Sequence, residues 1–241
     1  VKRYFKLPPL DELPNWPTDI EGLRASKYAR EIARRIRVRL LRSTRPTQYT
    51  ISIEDDGIGQ TPDQIHRTLL SLGQSDKGDK PYLIGVFGQG GSSAYQASTY
   101  STLMSRRAPQ LRKNREDGDI GWTVVRHVFP KGRRDDYFAY LVAHPDGRVP
   151  ILPGELAEEI GFVLGTRISH INYDFGKTEP AATLYRSLNH LIFNPVLPYE
   201  LITRPDRGAD PMWGNAYRLS NLKPAKKALD KTFDPQPVIK S

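Results

Sequence analysis

The chain contains no cysteine, which excludes a disulfide framework and any thiolate metal site and removes any need for an oxidising compartment. It also lacks a run approaching the roughly 18 consecutive apolar residues that a membrane helix requires, and no apolar signal core follows Val1-Lys2-Arg3-Tyr4. These shortages predict a cytoplasmic protein with no membrane partner. Apolar residues are also scarce, at 38% of the 241 positions, a little under the usual globular share. The five histidines, His66, His127, His144, His170 and His190, show no metal-ligand spacing. His170 reads as a sheet-face residue, and so do Trp122, Tyr137 and Tyr140. Asp135-Asp136 and Glu158-Glu159 read as turn and surface carboxylates.

Proline and glycine are plentiful, at 20 and 19 residues, and point to irregular ends around an ordered centre. The formal charge of +9 favours polyanions, whether nucleotides, DNA or acidic partners. Basic residues cluster at 30–45, 106–115 and 131–134. Each cluster also reads as a solvated face or loop.

Residues 1–17 carry four prolines among Leu, Phe and Trp16, and read as an extended arm. A helix is predicted from Asp19 to about Ala33. Ile36, Val38 and Leu40 then alternate with Arg35, Arg37 and Arg39, the period-two pattern of a strand with one dry and one wet face. With the β-branched run 48–54 it forms a predicted antiparallel hairpin. Thr61-Pro62-Asp63-Gln64 signals a helix over 62–72. After a polar, glycine-rich stretch at 73–91, the pattern gives a helix from Ser92 to Ala97 and strands at 98–106, 121–129, 137–144 and 164–173. A helix over 180–192 follows. Beyond Phe193 prolines recur and no period is visible, so 174–241 reads as a helix and a proline-rich extension. No internal repeat is present.

Two segments carry chemistry. Asp55-Asp56-Gly57-Ile58-Gly59 ends a strand with a carboxylate beside a tight, side-chain-free path, where an exocyclic amine can find an acceptor and a flat ring can approach the backbone. Asp-Asp-Gly also makes ordinary turns. In Gly85-Val86-Phe87-Gly88-Gln89-Gly90-Gly91-Ser92-Ser93, successive glycines bare backbone N–H groups just before a helix, which suits phosphates. A flexible loop would look the same. Neither the P-loop pattern nor the dinucleotide fingerprint is matched.

In combination these parts are more specific. A strand ending Asp-x-Gly-x-Gly, an amphipathic helix, a polar lid, Gly-x-x-Gly-x-Gly and later a strand opening Gly165-Thr166 occur in one order over residues 18–173. This arrangement resembles the GHKL ATPase superfamily of gyrase, the heat-shock chaperone, histidine kinases and MutL. The resemblance implies a Bergerat-type two-layer α/β sandwich, with a mixed sheet and helices on one face, binding ATP with Mg²⁺. It implies slow hydrolysis coupled to lid closure, of chaperone or MutL type, in a larger DNA-related or defence machine. A homodimer or a partner protein is compatible with it.

Residue by residue, the resemblance makes Asp55 the adenine-amine acceptor and Gly57 and Gly59 the close-approach positions. Thr166 becomes the threonine near the base. Gly85, Gly88 and Gly90 become the lid glycines, with the Gln89, Gly91 and Ser92 backbone at the phosphates and Lys77 and Lys80 reaching the terminal phosphates. One feature departs. The family's helix before the hairpin carries a catalytic glutamate and, four residues on, a magnesium-ligating asparagine, whereas 25–33 holds no asparagine. Glu31 is the nearby carboxylate, out of the expected register. Two readings stay open: residues absent from this chain near 25–34, or a non-hydrolysing nucleotide-binding or nucleic-acid-interaction module.

Overall fold

The computed structural model describes residues 33–43, 48–70, 92–131, 136–192, 195, 197–204, 206 and 208–215. The predicted arm, most of the helix from Asp19 and the end of the 62–72 helix lie outside these residues.

The alternating run does become a hairpin. β1 (Ile36–Arg42) pairs antiparallel with β2 (Tyr49–Asp55), from Ile36 opposite Asp55 to Arg42 opposite Tyr49. Val38 and Leu40 turn inward and are buried, while Arg37 and Arg39 turn to the other face. That split is what the two-residue period requires.

α1 (Pro62–Thr68) starts where the Thr61-Pro62 signal lies, and the Gln64 side chain accepts a hydrogen bond from the Thr61 N–H at 3.3 Å. α2 (Ser92–Gln96) leads into β3 (Tyr100–Arg106), which pairs antiparallel with β4 (Ile120–Val128). The segment between them makes two 3-10 turns, at Pro109–Leu111 and Glu116–Gly118. β5 (Tyr137–Tyr140) is shorter than the predicted 137–144 and pairs with β4, as does the two-residue β6 (Ile151–Leu152). β7 (Gly165–Tyr173) runs between β2 and β3, antiparallel to both.

The sequence pattern shows no strand after Phe193, yet β8 (Tyr199–Ile202) and β9 (Asp210–Met212) extend the sheet. β8 runs parallel to β1 after α3 (Pro180–Leu191). Pro211 sits in the edge strand β9, a place where a missing N–H does least harm. The result is one mixed sheet of nine strands in the order β5-β4-β3-β7-β2-β1-β8-β9, with β6 on β4. The fold is mixed α/β, with few helices among the described residues.

Side chains of cross-strand partners share a face. Val38, Leu40, Ile51 and Leu201 pack with Leu184 of α3, and Leu103 of β3 packs with Ile65 of α1, so both helices cover the same face. Burying each such side chain stabilises by about 1.5–3 kcal/mol. On the opposite face Ile120 packs with Ala157 and Phe162.

Candidate functional site

Asp55 is the last residue of β2 and lies on the helix-covered face. Ile36 is its partner on one side and Thr166 on the other, and Ser105 and then Gly121 continue the row across the sheet. The Gly57 N–H donates to Asp55 Oδ1 at 2.8 Å, and a side chain on Gly57 would begin 2.4 Å from that same oxygen. Among the described residues this amide is the one donor to the carboxylate.

Burial pushes the Asp55 carboxyl above the ordinary carboxylate range; the Gly57 hydrogen bond opposes this and the Asp56 charge adds to it. The adjacent Asp56 is occupied differently. Its Oδ1 accepts from Arg37 at 2.9 Å, and its N–H donates to the Arg35 carbonyl. Of the two neighbouring aspartates, Asp55 is the one whose carboxylate meets no arginine among the described residues.

Next to Asp55 on the same face, Ile53 is 41% exposed although Ile51, two residues earlier, is 7% exposed. An apolar floor therefore stays open beside the carboxylate. Thr166 borders it, and its Oγ1 lies 3.1 Å from Ser105 Oγ. Gly59 has φ +55, and a Cβ on it would sit 1.8 Å from the Arg106 carbonyl oxygen. Only glycine permits that approach. The turn is tied down by the Gln60 N–H donating to Ser105 Oγ and the Ala108 N–H donating to the Ile58 carbonyl, both at 2.9 Å.

Asp55, Gly57, Gly59 and Thr166 are thus brought together. Gly85, Gly88, Gln89, Gly90, Gly91, Lys77, Lys80 and Glu31 lie outside the described residues. Ser92 is the first residue of α2.

Residues not singled out in the sequence complete this end of the sheet. The buried Arg106 guanidinium donates to three carbonyls from three segments: Nε to Gly118 at 2.7 Å, one terminal nitrogen to Val163 at 2.8 Å and the other to Gly154 at 2.9 Å. Ser105 could have been found from its inward place in the alternation Ser101-Leu103-Ser105. For Arg106 no sequence signal exists, since it ends a strand inside a basic run.

Several of the arginines are paired within the fold. On the face opposite α1 and α3, buried Glu54 meets Arg37 Nε at 2.8 Å, an Arg39 terminal nitrogen at 2.9 Å and Arg167 Nε at 2.8 Å. Arg107 donates to the Gly59 carbonyl at 3.2 Å, and Arg115 pairs with Glu155. Among the described residues no helix is long and apolar enough to cross a membrane, and no three His, Asp or Glu side chains group as metal ligands. No family model matches the chain.

Proposed function

We propose that this chain binds ATP, with Mg²⁺ carried on the phosphates, in a GHKL-like two-layer α/β sandwich whose sheet presents the base site. The observation that carries the reading is the half-buried Asp55 carboxylate at a strand end, with one donor among the described residues, beside the exposed Ile53. A flat ring with an exocyclic amine satisfies both features. The amine donates to the carboxylate, and the ring covers apolar surface that is otherwise wet. Close packing of Gly59 and Gly165 against neighbouring backbone keeps side chains out of the space beside the base. Purine selection then follows from charge: an ionised carboxylate accepts from an amine and repels a carbonyl oxygen.

The glycine-rich segment 85–91 provides the phosphate grip in this reading, and Lys77 and Lys80 add positive charge. Phosphate contacts ordering that segment would give lid closure, a two-state element. Slow turnover, and membership of a chaperone- or MutL-like machine, rest on the sequence resemblance alone.

Calorimetric titration with Mg-ATP tests the binding step. Asp55→Asn replaces a charged acceptor by a neutral amide of the same shape. Losing a charge-assisted hydrogen bond of about 1.5–3 kcal/mol lowers affinity about 10- to 150-fold. Equal affinity in the two proteins would remove Asp55 from the site.

A further inference from the structure

Ser105 is fully buried, and its hydroxyl has three neighbours but one proton to give. Its Oγ lies 3.1 Å from the Gly165 carbonyl oxygen, 2.9 Å from the Gln60 amide nitrogen and 3.1 Å from Thr166 Oγ1. A carbonyl only accepts and an amide N–H only donates. The Ser105 proton therefore goes to Gly165, and one Ser105 lone pair takes the Gln60 N–H. The second lone pair faces Thr166, so that contact is a hydrogen bond only when the threonine donates. Turning the Ser105 proton to Thr166 instead would set serine and carbonyl lone pairs against each other across 3.1 Å, too short a gap for a bridging water.

We propose that Ser105 is a specificity-determining residue that acts by positioning the Thr166 proton. With that proton committed to Ser105, Thr166 turns only lone pairs toward the recess, directly across from an Asp55 carboxylate that also only accepts. The recess takes a purine with a donor at position 6 and rejects one with a carbonyl there. This inference rests on the ATP reading and adds a second acceptor to it, set by a residue that does not touch the base.

The test is calorimetric titration with Mg-ATP and Mg-inosine triphosphate, which carries a carbonyl in place of the 6-amine. The proteins are the natural chain, Ser105→Ala, Thr166→Val and the double variant. The natural chain prefers ATP. In Ser105→Ala the threonine is free to turn its proton to the carbonyl, and the preference narrows by about tenfold, the worth of one hydrogen bond. In the Thr166→Val background there is no proton to redirect, so adding Ser105→Ala leaves the ratio where it was. A merely structural role for Ser105 would move affinity for both nucleotides together, and would do so in both backgrounds. Ser105→Cys, read by the same ratio, serves if the alanine variant does not fold.

An unchanged ratio in Ser105→Ala, or an equal change in both backgrounds, overturns the proposal. If Asp55→Asn still weakens ATP binding in that case, the base site stands and only the serine's role falls. Failure of the natural chain to bind ATP, or to prefer it over inosine triphosphate, overturns both.

Discussion

A Cβ added to Gly165 would sit 1.8 Å from the backbone carbonyl oxygen of Asp55. The residue that opens β7 is therefore pressed against the residue that ends β2, and its φ of +91 independently strains any side chain placed there. Gly165→Ala is expected to destabilise the fold by about 3 kcal/mol or more, the sum of backbone strain and a forced shift between two paired strands. Gly59→Ala meets the Arg106 carbonyl at the same 1.8 Å and is expected to cost a similar amount. Gly147 supplies the control, with φ +66 and nothing within 4 Å of where a Cβ would stand. Gly147→Ala should cost about 1 kcal/mol, the strain alone. Urea unfolding of the three variants reads this directly, and equal losses would show that the close approach carries no energy.

The raised Asp55 carboxyl has two consequences with opposite signs. Between the ordinary carboxylate value and the raised one, the folded chain holds a proton that the unfolded chain has lost, so this group favours folding as pH falls through the interval. Above the interval the ionised, desolvated carboxylate costs stability. Binding runs the other way, since the ionised form accepts from an amine more strongly than the protonated one. Without nucleotide at pH 7, Asp55→Asn is expected to melt no lower than the natural chain, while its ATP affinity is reduced. Melting curves across pH 4–7 for the two proteins check the sign; a lower melting temperature for the variant at pH 7 would mean that the carboxylate stabilises the fold.

The parts of the site legible in the sequence were the local ones. Asp55, Gly57 and Gly59 lie within five residues, and Gly165-Thr166 opens a strand whose alternation is plain. The β1–β2 hairpin was legible because arginines and aliphatics alternate in strict register. Ser105 and Arg106 act through contacts 45 to 61 and 12 to 57 residues away in sequence, which no local pattern encodes. β8 and β9 were missed for another reason. They are four and three residues long, among prolines at 195, 198, 205 and 211, too short to display a period. The exposure of Ile53 was hidden too, since its place in the alternation matches that of buried Ile51.

Arg106 replaces what a helix or strand would otherwise do for three loop carbonyls. Lysine carries the same charge but has no planar fork, and one ammonium cannot reach Gly118, Gly154 and Val163 in the directions the guanidinium does. Arg106→Lys is expected to cost about 2–3 kcal/mol, since at least one buried carbonyl loses its donor. Chemical denaturation measures it. A loss below about 0.5 kcal/mol would show that these segments hold themselves in place.

His170 links the sheet to α2 through a buried polar chain. Ser101 Oγ is 2.8 Å from His170 Nδ1 and 3.0 Å from Ser98 Oγ, and Ser98 donates to the carbonyl of Tyr95, whose ring lies against the imidazole. The described groups around the imidazole are Ser101, Tyr95, Tyr173 and Ile51, with no carboxylate to hold a charged form. Burial accordingly lowers its pKa below the ordinary histidine value. As pH drops below about 6.5 the unfolded chain takes up a proton that folded His170 refuses, so its contribution to stability declines with falling pH. His170→Gln keeps a polar side chain beside Ser101 and removes the titration. The difference in unfolding free energy between the natural chain and this variant should shrink steadily from pH 7.5 to pH 5. A difference that stays constant over that range would mean the imidazole is protonated without penalty, and that the chain from Ser98 to His170 does not depend on its neutral form.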